Sequence, residues 1–386
     1  MDAPFKVGGI VEPPYFVGRE NELETLAQSA RTLAQSVLVL APRRYGKSSL
    51  LHNLKTRLGA EEQLLVPYVN CRDLTCYEDF HRATVTALLG EFEKKHRVRG
   101  LLEAFRQALR EKVLSALRRV EEIGGSVGDV GKAYLRFRER EIDELDLVRG
   151  AFRFFRAFSE EKGMRIVFLM DEFQEVSSFD GVLFNLLKKE LDENARTRYV
   201  FSGSSVRMLA SIFLSEEAPL YLMVARHRME ALDENDVTGF VTRRLAVAGL
   251  HPSGDAAPLF HTLTGGIPFY VQKLGLLVTQ QAQLLAETVI GPLTVHQSFE
   301  RMLDELDSEF ETRWVSRFST QQRQIVKALA KLGEGGVTDI ATHMGVERTD
   351  ISSPLRRLRD MMMVASDDQG GYSLVDDVFG AWLRRA

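Results

Sequence analysis

A lysine and a serine that follow a glycine, at the joint between an apolar run and a helical pattern, are the residues of this chain best placed for chemistry. The segment Ala41-Pro42-Arg43-Arg44-Tyr45-Gly46-Lys47-Ser48 comes after the β-branched run 37–40. It precedes residues 48–58, where Leu50, Leu51, Leu54 and Leu58 recur as on a helix packed along one side. In that setting the loop's N–H groups and the positive end of the helix converge on an anion. Gly46 permits close approach, Lys47 supplies a cation for β- and γ-phosphates, and the Ser48 hydroxyl can ligate Mg²⁺. Arg43, Arg44, Tyr45 and Ser49 complete the expected binding loop. Its first position is Ala41 where the usual pattern has glycine, and a methyl group is small enough for the loop to tolerate.

A second apolar run, 166–170, ends in Asp171 and Glu172. Strands buried on both faces read as unbroken apolar runs, and their carboxyl ends in a parallel sheet line the crevice where ligands bind. Asp171 would hold Mg²⁺ through water, and Glu172 would orient and deprotonate an attacking water. A further run, 199–202, leads into Ser202-Gly203-Ser204-Ser205. Ser204 there either contacts a γ-phosphate or lytic water, or belongs to a serine-rich turn that caps the next helix. The chemistry implied is binding of a nucleoside triphosphate with Mg²⁺ and cleavage of its terminal phosphoanhydride. Glu172, Lys47 and Ser204 are the catalytic candidates, and Ser48 and Asp171 the metal ligands. No Asn-Lys-x-Asp guanine-reading element stands at a strand end, which favours ATP over GTP.

A parallel sheet must position these residues. Runs at 37–40, 64–70, 166–170 and 199–202, separated by helical patterns, predict an α/β P-loop fold with right-handed crossovers. The crossover at about 75–163 is unusually long and reads as helices, interrupted at Gly124-Gly125 through Gly131. Beyond the fourth strand the pattern turns helical. Asp233 is the expected N-cap of a helix ending near Gly249, Gly265-Gly266 breaks the chain, and a long charged helix covers 294–318. Helices at 321–332, 337–344 and 348–361, the last interrupted by Pro354, and a hairpin at 364–374 predict a winged helix. The expected domains are therefore a P-loop domain over 1–227 with a helical insertion at about 75–163, a helical lid over 228–318, and a winged helix over 319–386.

Composition narrows the setting. A net charge of -4, from 50 basic and 54 acidic residues, excludes a whole-protein field that attracts nucleic acid. Cys71 and Cys76 are too few for a disulfide framework, and Cys-x4-Cys without companion ligands is a poor metal site. The first residues lack the pattern of a signal peptide, and no run is long enough for a membrane helix. A cytoplasmic protein with no membrane partner is expected.

With these residues placed, the chain resembles the archaeal-type ATPases of the STAND group, relatives of the AAA+ and initiator-type ATPases. The resemblance spans nearly the whole length. It rests on Phe16-Val17-Gly18-Arg19-Glu20 with Leu23, on the Pro42 to Leu51 loop, and on Asp171-Glu172-Phe173-Gln174. Gly203-Ser204-Ser205, Thr264-Gly265-Gly266-Ile267-Pro268 and Tyr372-Ser373-Leu374-Val375-Asp376 extend it. It implies that Phe16 and Arg19 lie on the adenine side of the nucleotide, and that Pro268 brings the lid over base and sugar. Phe16 reads equally as a core aromatic, and Pro268 also as a helix-start proline. An arginine finger is implied too, with Arg196, Arg198, Arg226 and Arg228 as candidates.

Three functions follow: a nucleotide-dependent regulatory switch, a DNA-acting ATPase, or a non-hydrolysing scaffold. Both Asp171 and Glu172 are present, which argues against the scaffold. The C-terminal segment from Ser319 balances nine Lys/Arg with nine Asp/Glu. Its hairpin tip carries Asp367-Asp368, so regulatory contact with a protein partner or a second copy is favoured over duplex DNA. Arg356 and Arg357 keep DNA as the alternative.

Overall fold

Six strands, most of them apolar, pair in parallel to form the principal sheet of this computed structural model, which describes residues 3–105, 144–179 and 181–385. In chain order they are β1 (Ser36–Leu40), β2 (Leu64–Leu65) with β3 (Tyr68–Asn70), β4 (Arg165–Asp171), β5 (Thr197–Gly203) and β6 (Val224–Arg228). β2 and β3 lie end to end along one side of β4, and the remaining order is β4-β5-β1-β6. The run 64–70 is thus two strands. Pro67 lies at the break, where its ring has no N–H to donate, while its carbonyl still accepts from Leu169 N at 2.9 Å. β6 was not expected: Val-Ala-Arg-His-Arg on an edge strand has one buried residue and no apolar run to reveal it.

The chain divides into two compact units, one of residues 21–40 and 50–228, the other of 1–20, 41–49 and 229–386. The first contains the sheet. Residues Ile166 to Met170 of β4 are fully buried, and Phe168 stacks on Tyr199. Helices α1 (Glu20–Thr32) and α2 (Lys47–Leu58) flank β1 in sequence. Two long helices, α3 (Tyr77–His96) and α4 (Glu144–Lys162), belong to the long crossover. They meet through Phe80–Phe152 and Phe92–Phe158, and Phe155 carries the cluster onto Phe168 at 4.7 Å. The expected interruption at Gly124 to Gly131 lies outside the described residues. α5 (Gly181–Glu193) leads into β5.

The second unit is mainly helical. α6 (Glu234–Val247) begins at Asp233, whose carboxylate accepts from Asp236 N at 2.7 Å. α7 (Ala256–Thr264), α8 (Pro268–Leu285) and α9 (Pro292–Arg317) follow, with a two-residue parallel pair, β7 (His251–Pro252) and β8 (Val289–Ile290). Gly265 and Gly266 both have positive φ. A Cβ at Gly266 would stand 2.1 Å from the Leu232 carbonyl, so the break between α7 and α8 requires glycine.

The last part holds α10 (Thr320–Leu332), β9 (Glu334–Gly336), α11 (Val337–Met344), α12 (Arg348–Asp360), β10 (Val364–Ser366), β11 (Gly371–Leu374) and α13 (Asp377–Arg385). The hairpin β10–β11 forms as expected, and β9 adds an antiparallel third strand that its Glu-Gly-Gly sequence does not announce. Pro354, expected to interrupt α12, lies inside a continuous helix. The carbonyl left without its N–H donor is that of Asp350, and the Gln321 side chain donates to it at 2.7 Å.

Candidate nucleotide site

At the C-terminal edge of the sheet, Asp171 ends β4 at 2% exposure. Its carboxylate accepts from Tyr68 Oη at 2.9 Å and from the Ser202 hydroxyl, one on each neighbouring strand. Burial and the adjacent Asp171 charge push the Tyr68 phenol up, so it stays a donor. Glu172 follows with φ 52° and ψ 41°, a left-handed conformation that costs a non-glycine residue about 1–2 kcal/mol. That turn directs its carboxylate into a cluster. Gln174 Nε2 donates to Glu172 Oε2 at 2.7 Å, Ser204 Oγ donates to the same oxygen at 2.9 Å, and Arg72 pairs with Oε1 at 3.0 Å. Gln174 Oε1 in turn accepts from Ser204 N at 3.2 Å. Gly203 makes room for this bridge, because a Cβ there would lie 2.0 Å from Gln174 Oε1.

Glu172 and Ser204, chosen from sequence as catalytic, therefore touch. Tyr68, Ser202 and Arg72 hold the two carboxylates; Tyr68 and Arg72 were not singled out, and Ser202 was named only within the segment from which Ser204 was chosen. No motif marks Tyr68 and Arg72, which come from β3 and the turn after it and reach the carboxylates only through sheet pairing. Gln174 was visible only as part of a longer motif. Among the arginine candidates, Arg198 stands at the start of β5, where it donates to the carbonyls of Leu33 and Thr197. Arg196, whose N–H is held by Asn194, precedes that strand, so both lie at the edge opposite Asp171. Arg226 and Arg228 lie on β6, with Arg228 level with Leu40.

The second unit holds the phosphate loop. β1 ends at Leu40 and the chain passes directly into residues 41–46. Left-handed backbone occurs at Arg44 (φ 75°) and Gly46 (φ 84°). Ala41, absent from the positive-φ residues, is fully buried, which explains why a methyl is accepted at the first position. Lys47 is 7% exposed, and its ammonium donates to the Ala41 and Pro42 carbonyls at 2.8 and 2.7 Å. Ser49 Oγ accepts from Val11 N at 3.1 Å, which joins the loop to the N-terminal segment. Ser48 is half-buried and Arg43 exposed.

One cavity is lined by Phe16, Arg19, Gly46, Ser49, Pro268 and Phe269 among others. Phe16, half-buried, thus faces a cavity, and Pro268 both opens α8 and borders the same space. Arg19 is buried and donates to the Glu230 carbonyl at 2.7 Å. Tyr45 is buried, with Oη donating to the Val375 carbonyl at 3.2 Å. The Arg44 guanidinium turns onto Phe269 and Tyr270 and pairs with Glu309. Its partners here are the Tyr270 hydroxyl and the Glu309 carboxylate. Among the described residues no group of three or more His, Cys, Asp or Glu has the makings of a metal cage. The ligands expected from sequence, the hydroxyl of Ser48 and the carboxylate of Asp171, suit a hard cation that keeps most of its waters.

Residues 15–201 match the family model described as the AAA ATPase domain. A Walker-type ATPase of Pyrococcus abyssi superposes with a TM-score of 0.68 at 18% identity, over 99% of each chain. The protein has the AAA+ P-loop NTPase fold. Looser superpositions, with no weight for function, include the RuvB Holliday junction branch migration motor of Thermotoga maritima (TM-score 0.45, 15% identity, 92% of this chain and 91% of that). Another is the Aeropyrum pernix ORC1 protein in complex with DNA (0.45, 14%, 97% and 94%). No curated protein matches this chain. The matched AAA region takes in the phosphate loop and both carboxylates and ends within β5. No described helix is long and apolar enough to cross a membrane.

Proposed function

We propose that the protein binds ATP with Mg²⁺ and hydrolyses it, as a cytoplasmic regulatory switch of the STAND type. The observation that carries hydrolysis is the Glu172 carboxylate, held in a left-handed turn by Gln174, Ser204 and Arg72 beside a buried Asp171. A general base must be held in reach of its water, and three fixed partners hold this one. In this reading Lys47 and the loop N–H groups of Arg43 to Ser49 take the phosphates, and Ser48 and Asp171 hold the cation. Ser204 reports on the γ-phosphate through Glu172. Phe16, Arg19 and Pro268 border the base. Mg²⁺, when bound, neutralises charge on the transferred phosphoryl group.

The domain division proposed is a P-loop domain over 1–227, a lid over 228–318 and a winged helix over 319–386. The winged-helix assignment is supported by three helices followed by a hairpin with a third strand. Its expected role is contact with a protein partner or a second copy, because Glu334, Asp367 and Asp368 gather at the hairpin. Duplex binding remains the second reading, favoured by the exposed Arg356, Arg357 and Arg359 on α12.

The test is a pair of variants. Lys47→Ala should lose nucleotide binding. Glu172→Gln should bind ATP within about threefold of wild type and lose turnover at least about 100-fold, the range general-base removal commonly costs. Equal turnover by wild type and Glu172→Gln would sink the base assignment.

A further inference from the structure

We infer that Asp376 is a positioning residue for the phosphate loop, acting through Tyr270 on Arg44, so that the joint between the C-terminal hairpin and the last helix is coupled to nucleotide binding. The inference rests on the nucleotide reading above and names how that site is regulated.

The chain of contacts has a direction. Tyr270 is fully buried, and burial pushes its phenol well above the ordinary value, so it keeps its single proton. That proton goes to Asp376 Oδ2, at 3.1 Å, and the phenol oxygen then accepts from the Arg44 guanidinium. Asp376 is itself immobilised. Arg313 of α9 donates to Oδ2 at 2.7 Å, and Phe379 N in the first turn of α13 donates to Oδ1 at 3.0 Å. Both carboxylate oxygens are therefore committed before Arg44 is considered.

Arg44 is held on the other side by aromatic rings. Its guanidinium lies 4.7 Å from the Phe269 ring centre, 4.9 Å from Tyr270 and 5.8 Å from Phe310, with Glu309 as a second anion. The backbone at Arg44 is left-handed, which a non-glycine residue holds only where its surroundings enforce it. The next loop residue repeats the connection: Tyr45 Oη reaches the carbonyl of Val375. Two consecutive residues of the phosphate loop thus engage two consecutive residues between β11 and α13. Both contacts fix the loop, two and three residues before Lys47.

Coupling between two sites is reciprocal. If phosphate binding favours the loop conformation that Arg44 and Tyr45 hold, nucleotide must also favour the engaged position of residues 375 and 376. The experiment uses the full chain and the variants Tyr270→Phe, Asp376→Asn and their combination. Tyr270→Phe keeps the ring and the stack, and removes only the hydroxyl. Each single change is expected to raise the Kd for a fluorescent ADP analogue, and KM for ATP, about 5- to 10-fold with kcat within about twofold. The double variant should be no weaker than the weaker-binding single one, because the two residues act in one chain. In wild type, ADP should slow amide exchange across residues 371–385, and Tyr270→Phe should abolish that protection. Wild-type Kd and KM in both single variants, additive losses in the double, or no ADP effect on exchange in wild type would each overturn the coupling. A wild type that binds no nucleotide would instead overturn the functional reading. Wild type and variants that hydrolyse ATP alike would overturn the coupling alone.

Discussion

Asp171 and Glu172 are held by neighbours in the sheet and in the turn that follows it, whereas Arg44 and Tyr45 are held by residues 226 to 330 positions away. The carboxylates sit where buried parallel strands bring Tyr68, Ser202 and Ser204 alongside, and shifting any of these would mean breaking backbone ladders. The loop's grip is made mostly of side chains reaching partners far along the chain, beside one backbone bond from Phe269 N to the Arg44 carbonyl. On the proposed function, the carboxylate edge is the fixed half of the chemistry and the loop the half open to regulation.

The sharpest way to break that comparison is to compare Lys47→Ala with Glu172→Gln. The first should act on affinity and the second on turnover, each by at least about 100-fold, and a mixed effect from either would blur the two halves. Next in size is Gly203→Ala. The added methyl meets Gln174, which is 3% exposed and cannot swing clear, so Glu172 loses a donor. Turnover should fall about tenfold, roughly the 1.4 kcal/mol of one charge-assisted hydrogen bond, with KM unchanged. Steady-state kinetics that show a KM change instead would place Gln174 on the binding side.

Ser49→Ala should be milder. It removes the acceptor for Val11 N, a bond worth about 1 kcal/mol, and is expected to raise KM up to about fivefold without touching kcat. The smallest effect on activity should come from Glu190→Gln. Glu190 is buried on α5, which pushes its carboxyl from 4.5 up to about 7 despite hydrogen bonds from Asn194 and Tyr199. The native state then holds a proton that the unfolded chain releases above 4.5, so stability falls as pH rises from about 4.5 to about 7 and stays lowered above it. Glu190→Gln should recover up to about 3 kcal/mol at pH 8 and nothing below pH 4, with kinetics unchanged. Melting curves at the two pH values decide this; a gain that persists at low pH would refute a titration origin.

Much of the site is legible along the chain because its parts are local. A loop between a strand and a helix must contain its glycine, lysine and serine in sequence, and a buried strand that ends in Asp171-Glu172 shows itself through its apolar run. The same holds for the Asp233 cap, the Gly265-Gly266 break and the hairpin 364–374, each set by neighbouring residues. Edge strands and helix prolines are less legible. β6 shows no apolar run because one side of it is open to solvent, and Pro354 is accommodated only because Gln321 reaches the stranded carbonyl.

Residue types and local spacing alone thus determined the phosphate loop, the carboxylate pair and the parallel α/β class, since each depends on contacts within a few residues or on a burial period. The tertiary structure alone decided what holds them. Tyr68, Ser202 and Arg72 reach the carboxylates only through strand pairing. The contacts of Arg44 with Tyr270 and Glu309 depend on helices more than 200 residues further on. Such contacts leave no period or motif in a single sequence, because the residues that make them become neighbours only after the chain has folded.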